Sequence, residues 1–335
     1  MTKSTELRIA VLGVGTMGSF HAEALTSRIT GARVTVVNDF DPARAQQVAS
    51  TIGARVVADP FAAISAEDVN AVVIATPGQA HNEQIIACLE RGIPVLCEKP
   101  LTTDISSAYE IVKREAELDH PLVQIGFMRR FDAEYVALRE LIASGELGEA
   151  LLLHCAHRNP AVPDIFNSEM MIRDSVVHEV DVARFLLDEE IVAVTVSRPR
   201  STSKAPEGVS DPMLVLMETE SGRLVDVEIF VRTGVAYEVR TEVVAEKGSA
   251  MIGLDQSLVT KRAGGAWGGT VSPDFVARFS AAYDSELQRW VDAAKDGRID
   301  GPGSWDGYAA VAVCEAGAEA VVTGKRVVVQ MAARP

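Results

Sequence analysis

The stretch RDSVVHEVD, residues 173 to 181, places titratable side chains among valines. Asp174, His178 and Asp181 are four and three residues apart, and on a helix these spacings put all three on one face. Because histidine titrates near neutral pH, an imidazole beside a carboxylate is suited to accept a proton from a reacting group. The residues that follow are almost all apolar, which favours a buried helix over a solvated charge stripe. The stretch predicts either an acid/base site or a satisfied buried polar cluster.

A lysine is the second candidate for chemistry. Lys99 lies in CEKP, residues 97 to 100, at the end of a predicted strand, and Pro100 favours an extended conformation for it. Ligands of open α/β sheets bind at the carboxyl ends of the strands. Its amine can therefore project toward a ligand, and the alternative is a surface lysine beside a turn.

The loop GVGTMG, residues 13 to 18, follows a predicted strand and opens a predicted helix. In this context Gly13 permits a tight turn, Gly15 lets the backbone approach a pyrophosphate, and Gly18 allows the helix to pack closely on the strand. The N-terminus of the helix adds N–H groups and a positive dipole end. Asp39 ends the second predicted strand, where a carboxylate accepts hydrogen bonds from an adenosine ribose and repels a 2′-phosphate. NAD is therefore favoured over NADP.

These residues need a sheet to position them. In residues 1–125, apolar strand-like runs alternate with amphipathic helical stretches, which predicts a Rossmann-type, doubly wound parallel sheet. The predicted strands are LRIAVLG, RVTVVND, ARVVA, NAVVIAT, IPVLCEK and PLVQIGF. The first predicted domain is therefore an NAD-binding domain of residues 1–125.

The pattern changes in residues 126–335. One helix, a strand and the RDSVVHEVD helix precede strands in succession, which predicts an α+β domain with a large, open, mostly antiparallel sheet. Two helices near 275 to 296 and 305 to 322 finish the chain. The glycine-rich stretch from 263 to 274 is typical of a flexible connection, with Trp267 as an alternative ligand cap.

Composition excludes several classes of partner. The chain has 335 residues and a formal net charge of −15, whereas nucleic acids and anionic membranes need basic surface. No signal-peptide core and no run of about 18 apolar residues is present, so we expect a cytoplasmic protein without a membrane partner.

The four cysteines have no CxxC spacing, and His154 and His157 point to opposite faces of a predicted strand. We expect no metal site.

Several motifs together resemble the glucose–fructose oxidoreductase and inositol dehydrogenase family. GVGTMG, ATPGQAH and CEKPL are similar to the nucleotide-domain signatures of that family, and DSVVHEVD is similar to its catalytic helix. The resemblance extends over nearly the whole chain. More specific stretches favour the inositol-oxidising branch: VQIGFMRRFD, HCAHRNP, RDSVVHEVD, FSAAYDSE and WDGYAA.

The resemblance implies roles for individual residues. Lys99, Asp174 and His178 would be the catalytic set, with His178 the base, Asp174 its partner and Lys99 a donor to the reacting oxygen. The residues implied to bind the cofactor are Gly13, Gly15, Thr16, Met17, Asp39, Thr76, Pro77, His81, Glu98 and Lys99. Those implied to contact a polyol are Arg129, His157, Asn159, Asp181, Tyr237 and Tyr283.

The activity that the resemblance implies is NAD-dependent oxidation of myo-inositol at C2 to scyllo-inosose, in inositol catabolism. It also implies a homo-oligomer, either dimer or tetramer, because strands such as RLVDVEIFV are partly apolar on both faces. Alternatives within the enzyme class are scyllo-inositol, another inositol isomer or an aldose as substrate. The alternative outside that class is a dinucleotide sensor that binds NAD(H) without turnover.

Overall fold

The structure is a computed structural model that describes residues 6–253, 261–263, 266–268 and 272–335, of which 261–263 and 266–268 are described without side chains. The chain forms two compact units. Among the described residues, the first unit contains 6–128, 281–311 and 332–335, and the second contains those that lie within 129–280 and 312–331. The predicted division after residue 125 lies close to the end of the first segment. Residues 281–311 belong to the first unit, whereas the sequence predicts them in the second domain.

The first unit is built on a parallel sheet. Its strand order is β3-β2-β1-β4-β5-β6, which reverses direction beside β1 as a doubly wound fold requires. Each strand lies within one of the predicted apolar runs, although only two residues of ARVVA form a strand. The strands are β1 (Leu7–Leu12), β2 (Ala32–Asn38), β3 (Arg55–Val56), β4 (Ala71–Ile74), β5 (Val95–Glu98) and β6 (Val123–Gly126).

Helices connect these strands, and several begin at an aspartate. Asp41, Asp59 and Asp104 each accept hydrogen bonds from backbone N–H groups of the first helical turn, which satisfies donors that have no partner inside the helix. The helices are α1 (Thr16–Ser27), α2 (Pro42–Ile52), α3 (Pro60–Ile64), α4 (His81–Arg91) and α5 (Ile105–Ala116).

A late segment of the chain completes the apolar core of the first unit. Leu287, Trp290 and Val291 are fully buried in one cluster with side chains of β1, β2, α1 and α2. Trp290 is the largest fully buried side chain of this cluster. Local sequence periodicity cannot reveal this return, because it joins residues more than 230 positions apart.

The second unit contains a mixed sheet with the strand order β12-β11-β7-β10-β9-β8-β15. Its neighbouring strands are antiparallel except for the parallel pair β7 and β10, so the predicted fold class is confirmed. The strands are β7 (Ala150–Arg158), β8 (Ile191–Ser197), β9 (Met213–Thr219), β10 (Leu224–Phe230), β11 (Glu238–Ala245), β12 (Gly248–Ile252), a separate hairpin of β13 (Lys261–Ala263) and β14 (Ala266–Gly268), and β15 (Val327–Val328). Most of the predicted strand SLVTKR and the side chain of Trp267 lie outside the described residues.

Helices of the second unit include α6 (Ala133–Ala143), α7 (Ser168–Met170) and α8 (Val177–Leu187). A π-helical segment, Met171–Val176, leads directly into α8. Every residue of α8 is buried, as the apolar composition of this stretch predicts. The last two helices, α9 (Phe275–Lys295) and α10 (Ser304–Thr323), contribute residues to both units.

Candidate functional site

The glycine loop of the first unit has the geometry that its sequence predicts. Gly13 has φ +77°, and a Cβ there would lie 2.6 Å from the carbonyl oxygen of Ala75. A Cβ on Gly18 would lie 1.8 Å from the carbonyl oxygen of Gly13. Both positions therefore exclude side chains. Gly15 differs, because a Cβ there would meet nothing within 4 Å.

The first turn of α1 can hold an anionic group. Gly15 is the N-cap of α1 and offers no side chain to the N–H groups of that turn, which include those of Thr16 and Met17. Open space above a glycine and backbone donors at a helix N-terminus are what a pyrophosphate needs. The residues present therefore fit the dinucleotide that the motif predicts.

Asp39 lies directly after β2 and is buried against the glycine loop. Its Oδ2 accepts a hydrogen bond from the backbone N–H of Val14 at 2.8 Å, and its Oδ1 accepts from the backbone N–H of Asp41 at 2.8 Å. Arg44 adds two further hydrogen bonds to the same carboxylate. Burial opposes ionisation, but these donors together lower the pKa of Asp39 below its ordinary value.

His81 connects the ends of two neighbouring strands. Its Nε2 lies 2.8 Å from the carbonyl oxygen of Thr76, after β4, and its Nδ1 lies 2.9 Å from that of Pro100, after β5. Burial lowers its pKa, against the effect of the two carbonyl groups. The imidazole therefore fixes the Thr76–Pro77 loop relative to the segment that carries Lys99.

Glu98 is the last residue of β5, beside Lys99, and is buried. Its Oε1 lies 2.7 Å from Nε2 of His21 on α1. The His21 ring packs edge-on against Tyr283, with ring centroids 6.0 Å apart. The structure thus gathers Glu98 and Tyr283 around His21 within the first unit. Contacts of either residue with a cofactor or substrate stay predictions.

In the second unit the RDSVVHEVD stretch spans a change of helix type. Asp174 lies in the π-helical segment, and His178 and Asp181 lie in α8. Because a π-turn is wider than an α-turn, a spacing of four does not give Asp174 and His178 the angular relation that an α-helix would. His178 is 9% exposed, and its ring centroid lies 6.5 Å from that of His157. Such π-helical turns are frequent at functional sites.

Glu179, between the predicted residues, is the centre of a buried charge cluster. Arg129 donates a short hydrogen bond to Glu179 Oε1, and Nδ1 of His157 lies 3.1 Å from Glu179 Oε2. All three side chains are almost completely buried. Burial raises the pKa of Glu179, but the charges of Arg129 and His157 outweigh it and bring the pKa to about 2. Glu179 is therefore ionised in the interior of this unit.

His157 contacts both members of this ion pair through one ring nitrogen. Its Nδ1 lies 3.1 Å from Glu179 Oε2 and 3.4 Å from Nη2 of Arg129, so the pair fixes the position of the ring. Tyr237 packs edge-on against the same ring, with centroids 5.8 Å apart. Along β7 the side chain of His154 points to the opposite face and pairs with Asp226, as the period of two predicts.

Two polar atoms of this region are buried without a hydrogen-bond partner among the residues that the structure describes. They are Oδ1 of Asn159 and Nε of Arg129. Buried polar atoms are normally satisfied, so each of these atoms is expected to have a partner outside the protein chain, such as a water molecule or a ligand. Both belong to the set that the sequence predicts to contact a polyol.

The carboxylate of Asp181 forms an ion pair within the protein. Its carboxylate accepts hydrogen bonds from Nε and Nη2 of Arg130, at 3.0 and 2.7 Å, and its side chain is 1% exposed. This bidentate pair fixes the position of the carboxylate. Direct contact of Asp181 with a substrate stays a prediction.

The sequence patterns do not single out two candidate functional residues, Arg44 and Glu179. The sequence feature that could have identified Arg44 is its position five residues after Asp39. For Glu179 it is the presence of a carboxylate among the apolar residues of the predicted buried helix.

Among the described residues, no group of three or more His, Cys, Asp or Glu side chains could hold a metal ion. Within the same residues, no helix is long and apolar enough to span a membrane.

Comparison with known proteins gives a consistent result. Residues 7–127 match the description "Oxidoreductase family, NAD-binding Rossmann fold", and residues 135–251 match the GFO/IDH/MocA C-terminal domain. An inositol 2-dehydrogenase of Rhodococcus erythropolis is 61% identical, over 100% of this chain and 98% of the relative.

Two solved structures are similar over nearly their full length. The crystal structure of myo-inositol dehydrogenase from Lactobacillus casei in complex with NAD(H) and myo-inositol has a TM-score of 0.95 and 30% identity, and covers 98% of each chain. Scyllo-inositol dehydrogenase from the same species, with NAD(H) and scyllo-inositol bound, has a TM-score of 0.89 and 26% identity, covering 97% of this chain and 99% of that one. This chain therefore belongs to the GFO/IDH/MocA oxidoreductase family, and its first unit is an NAD-binding Rossmann domain.

Proposed function

We propose that this protein oxidises myo-inositol at C2 to scyllo-inosose with NAD as the acceptor, in inositol catabolism. The observation that carries the proposal is a cluster of buried polar groups in the second unit, in which Arg129 and His157 both contact Glu179 and Tyr237 packs against His157. Asn159, two residues after His157, adds a buried Oδ1 without a partner among the described residues. A polyol with a hydroxyl on every ring carbon needs many donors and acceptors, whereas an apolar substrate would leave these groups unsatisfied. The relatives named inositol 2-dehydrogenase support the same substrate class.

The catalytic roles follow from what alcohol oxidation requires. NAD, when bound, accepts the hydride from the carbon that is oxidised. His178 accepts the proton of the reacting hydroxyl, Asp174 orients and stabilises the resulting imidazolium, and Lys99 donates a hydrogen bond to the oxygen. His81 and Pro100 hold the backbone next to Lys99 in place.

Substrate recognition is assigned to groups with a defined hydrogen-bonding polarity. Asn159 accepts through Oδ1 and Arg129 donates through Nε, whereas Nε2 of His157 accepts or donates according to the tautomer of the ring. This alternation matches hydroxyl groups, each of which both donates and accepts. Asp181, Tyr237 and Tyr283 complete the proposed set of polyol contacts.

Substrate profiling tests this proposal. The purified protein is assayed by NADH absorbance at 340 nm with myo-inositol, scyllo-inositol and glucose, and the product of the first reaction is identified by NMR. We expect the highest kcat/KM with myo-inositol and a ketone at C2. Activity on glucose with none on any inositol contradicts the proposed substrate. Binding of NAD with no NADH formed on any polyol identifies a dinucleotide sensor instead.

Scyllo-inositol is the second candidate substrate. The similarity to scyllo-inositol dehydrogenase favours it, because that structure contains NAD(H) and the isomeric ligand on the same fold. The two isomers differ only in the orientation of one hydroxyl, so the same cluster of donors and acceptors can bind either. The ratio of kcat/KM values for the two isomers decides between them.

We also propose that the protein is a homo-oligomer, with a tetramer or a dimer as the expected form, located in the cytoplasm. One face of β10 presents Leu224 and Phe230 together with Asp226 and Glu228, while its other face is fully buried. A partly apolar outer face of a sheet is typical of a surface that packs against a second copy. The cytoplasmic location stays a prediction.

A further inference from the structure

Four donors surround the carboxylate of Asp39. The backbone N–H groups of Val14 and Asp41 each lie 2.8 Å from one of its oxygens. Arg44 fills the remaining positions, with Nη2 2.7 Å from Oδ1 and Nε 3.2 Å from Oδ2. A carboxylate has about four lone-pair positions, so the protein alone can satisfy all of them.

Of these partners, Arg44 is the one that a ligand can replace. The two backbone donors belong to the glycine loop and to the start of α2, whereas the side chain of Arg44 is 36% exposed. The exposed ring of Phe40 lies beneath the guanidinium, 5.0 Å from its Cζ, and retains it near the carboxylate. The carboxylate that binds a ribose diol is thus paired with a cation of the kind that binds a ribose 2′-phosphate in NADP-dependent enzymes.

We propose that Arg44 is a second determinant of cofactor choice, a latent 2′-phosphate-binding residue that Asp39 neutralises. In this protein Asp39 excludes NADP in two ways: its charge repels the 2′-phosphate, and its hydrogen bonds occupy the arginine that would otherwise bind it. Replacing Asp39 with a neutral residue therefore removes a repulsion and releases a bidentate donor at the same position. The proposal depends on the dinucleotide site alone, so it can fail or succeed independently of the polyol substrate.

Isothermal titration calorimetry with 2′,5′-ADP tests it without turnover. The full-length chain is compared with Asp39→Ser, Arg44→Gln and the double variant, and 5′-AMP is titrated in parallel because it lacks the 2′-phosphate. We expect Asp39→Ser to raise the affinity for 2′,5′-ADP by about tenfold to a hundredfold, since a hydrogen bond to a charged group has that effect. The double variant should lose most of this gain, Arg44→Gln alone should gain nothing, and 5′-AMP should show no corresponding increase.

The chain provides a matched control. Asp68 and Arg55 form a second bidentate pair in the first unit, with distances of 2.6 and 3.2 Å. Asp68→Ser changes the net charge by the same amount and also releases an arginine, but should leave the affinity for 2′,5′-ADP unchanged. If Asp39→Ser does not fold by circular dichroism, Asp39→Ala takes its place. Equal affinities of Asp39→Ser and the double variant, or a gain with Asp68→Ser, would overturn the proposal.

Discussion

His178 is the residue on which the proposed chemistry depends most directly. If it accepts the hydroxyl proton, His178→Ala removes the acceptor and should lower kcat by about 10²- to 10⁴-fold. NAD affinity should stay close to that of the unaltered chain, because His178 belongs to the second unit and the phosphate-binding loop to the first. Stopped-flow measurement of NADH formation, with NAD affinity from fluorescence quenching, separates the two effects.

The matched control for this prediction is His154→Ala. His154 lies on the opposite face of β7 from His157 and pairs with Asp226, so its loss should leave kcat nearly unchanged. A near-normal kcat for His178→Ala would show that another group accepts the proton, with Lys99 the next candidate.

Glu179 provides a prediction about stability. Glu179→Gln leaves Arg129 buried without its charged partner, which should lower the free energy of unfolding by about 3–5 kcal/mol. Asp300→Asn is the control: Asp300 pairs with Arg289 at 2.6 Å but both side chains are exposed, so its loss should cost less than about 1 kcal/mol. Urea unfolding at neutral pH measures both, and equal effects of the two substitutions would contradict the assigned role of the buried cluster.

The pH dependence of the Glu179 effect has a defined sign. Its pKa falls from the ordinary 4.5 to about 2 on folding, so ionised Glu179 stabilises the folded state fully above pH 4.5. This stabilisation is lost as the pH falls from 4.5 toward 2, because over this interval the unfolded chain binds a proton at Glu179 and the folded chain does not. The difference between the unaltered chain and Glu179→Gln should therefore shrink over this interval.

At the scale of elements, the turn between β1 and α1 contains one glycine that folding requires, Gly18, and one that we expect only cofactor binding to require, Gly15. Gly18→Ala places a Cβ 1.8 Å from the carbonyl oxygen of Gly13 and should cost about 1–3 kcal/mol of stability. Gly15→Ala meets nothing within 4 Å, so it should leave the melting temperature nearly unchanged and still weaken NAD binding, where the pyrophosphate approaches the backbone. Thermal melts and NAD titrations of both variants provide the comparison. Full NAD affinity in Gly15→Ala would place the pyrophosphate elsewhere.

The elements themselves were predictable because their signals are local. Continuous apolar runs and the G-x-G-x-x-G turn each require only neighbouring residues, and the six strands of the first sheet and the burial of α8 follow from them. The π-helical turn at Asp174 was not predictable, since the same spacing fits an uninterrupted α-helix. The pairings of Glu179 with Arg129 and of Trp290 with the first core join residues far apart in sequence, which no local pattern encodes.

At the scale of the whole molecule, the outer face of the second sheet leads to a prediction about assembly. Leu214 and Leu224 are 43% and 37% exposed on neighbouring antiparallel strands, β9 and β10. If this face packs against a second copy, Leu214→Glu with Leu224→Glu should reduce the oligomer to a smaller species in light scattering. Phe40→Glu, at an exposed aromatic residue of the first unit, is the control and should not change the mass. A stable monomer of the unaltered chain at micromolar concentration would contradict the proposal.

The contribution of α9 to the first core has a consequence for synthesis on the ribosome. Translation proceeds from the N-terminus, and Leu287, Trp290 and Val291 emerge only after the whole segment from 129 to 280 has been made. Until then the nascent Rossmann sheet lacks part of its apolar cover and exposes it to chaperones and to other nascent chains. The cofactor domain, although first in the sequence, is therefore completed late, and NAD can stabilise it fully only when the chain is nearly finished.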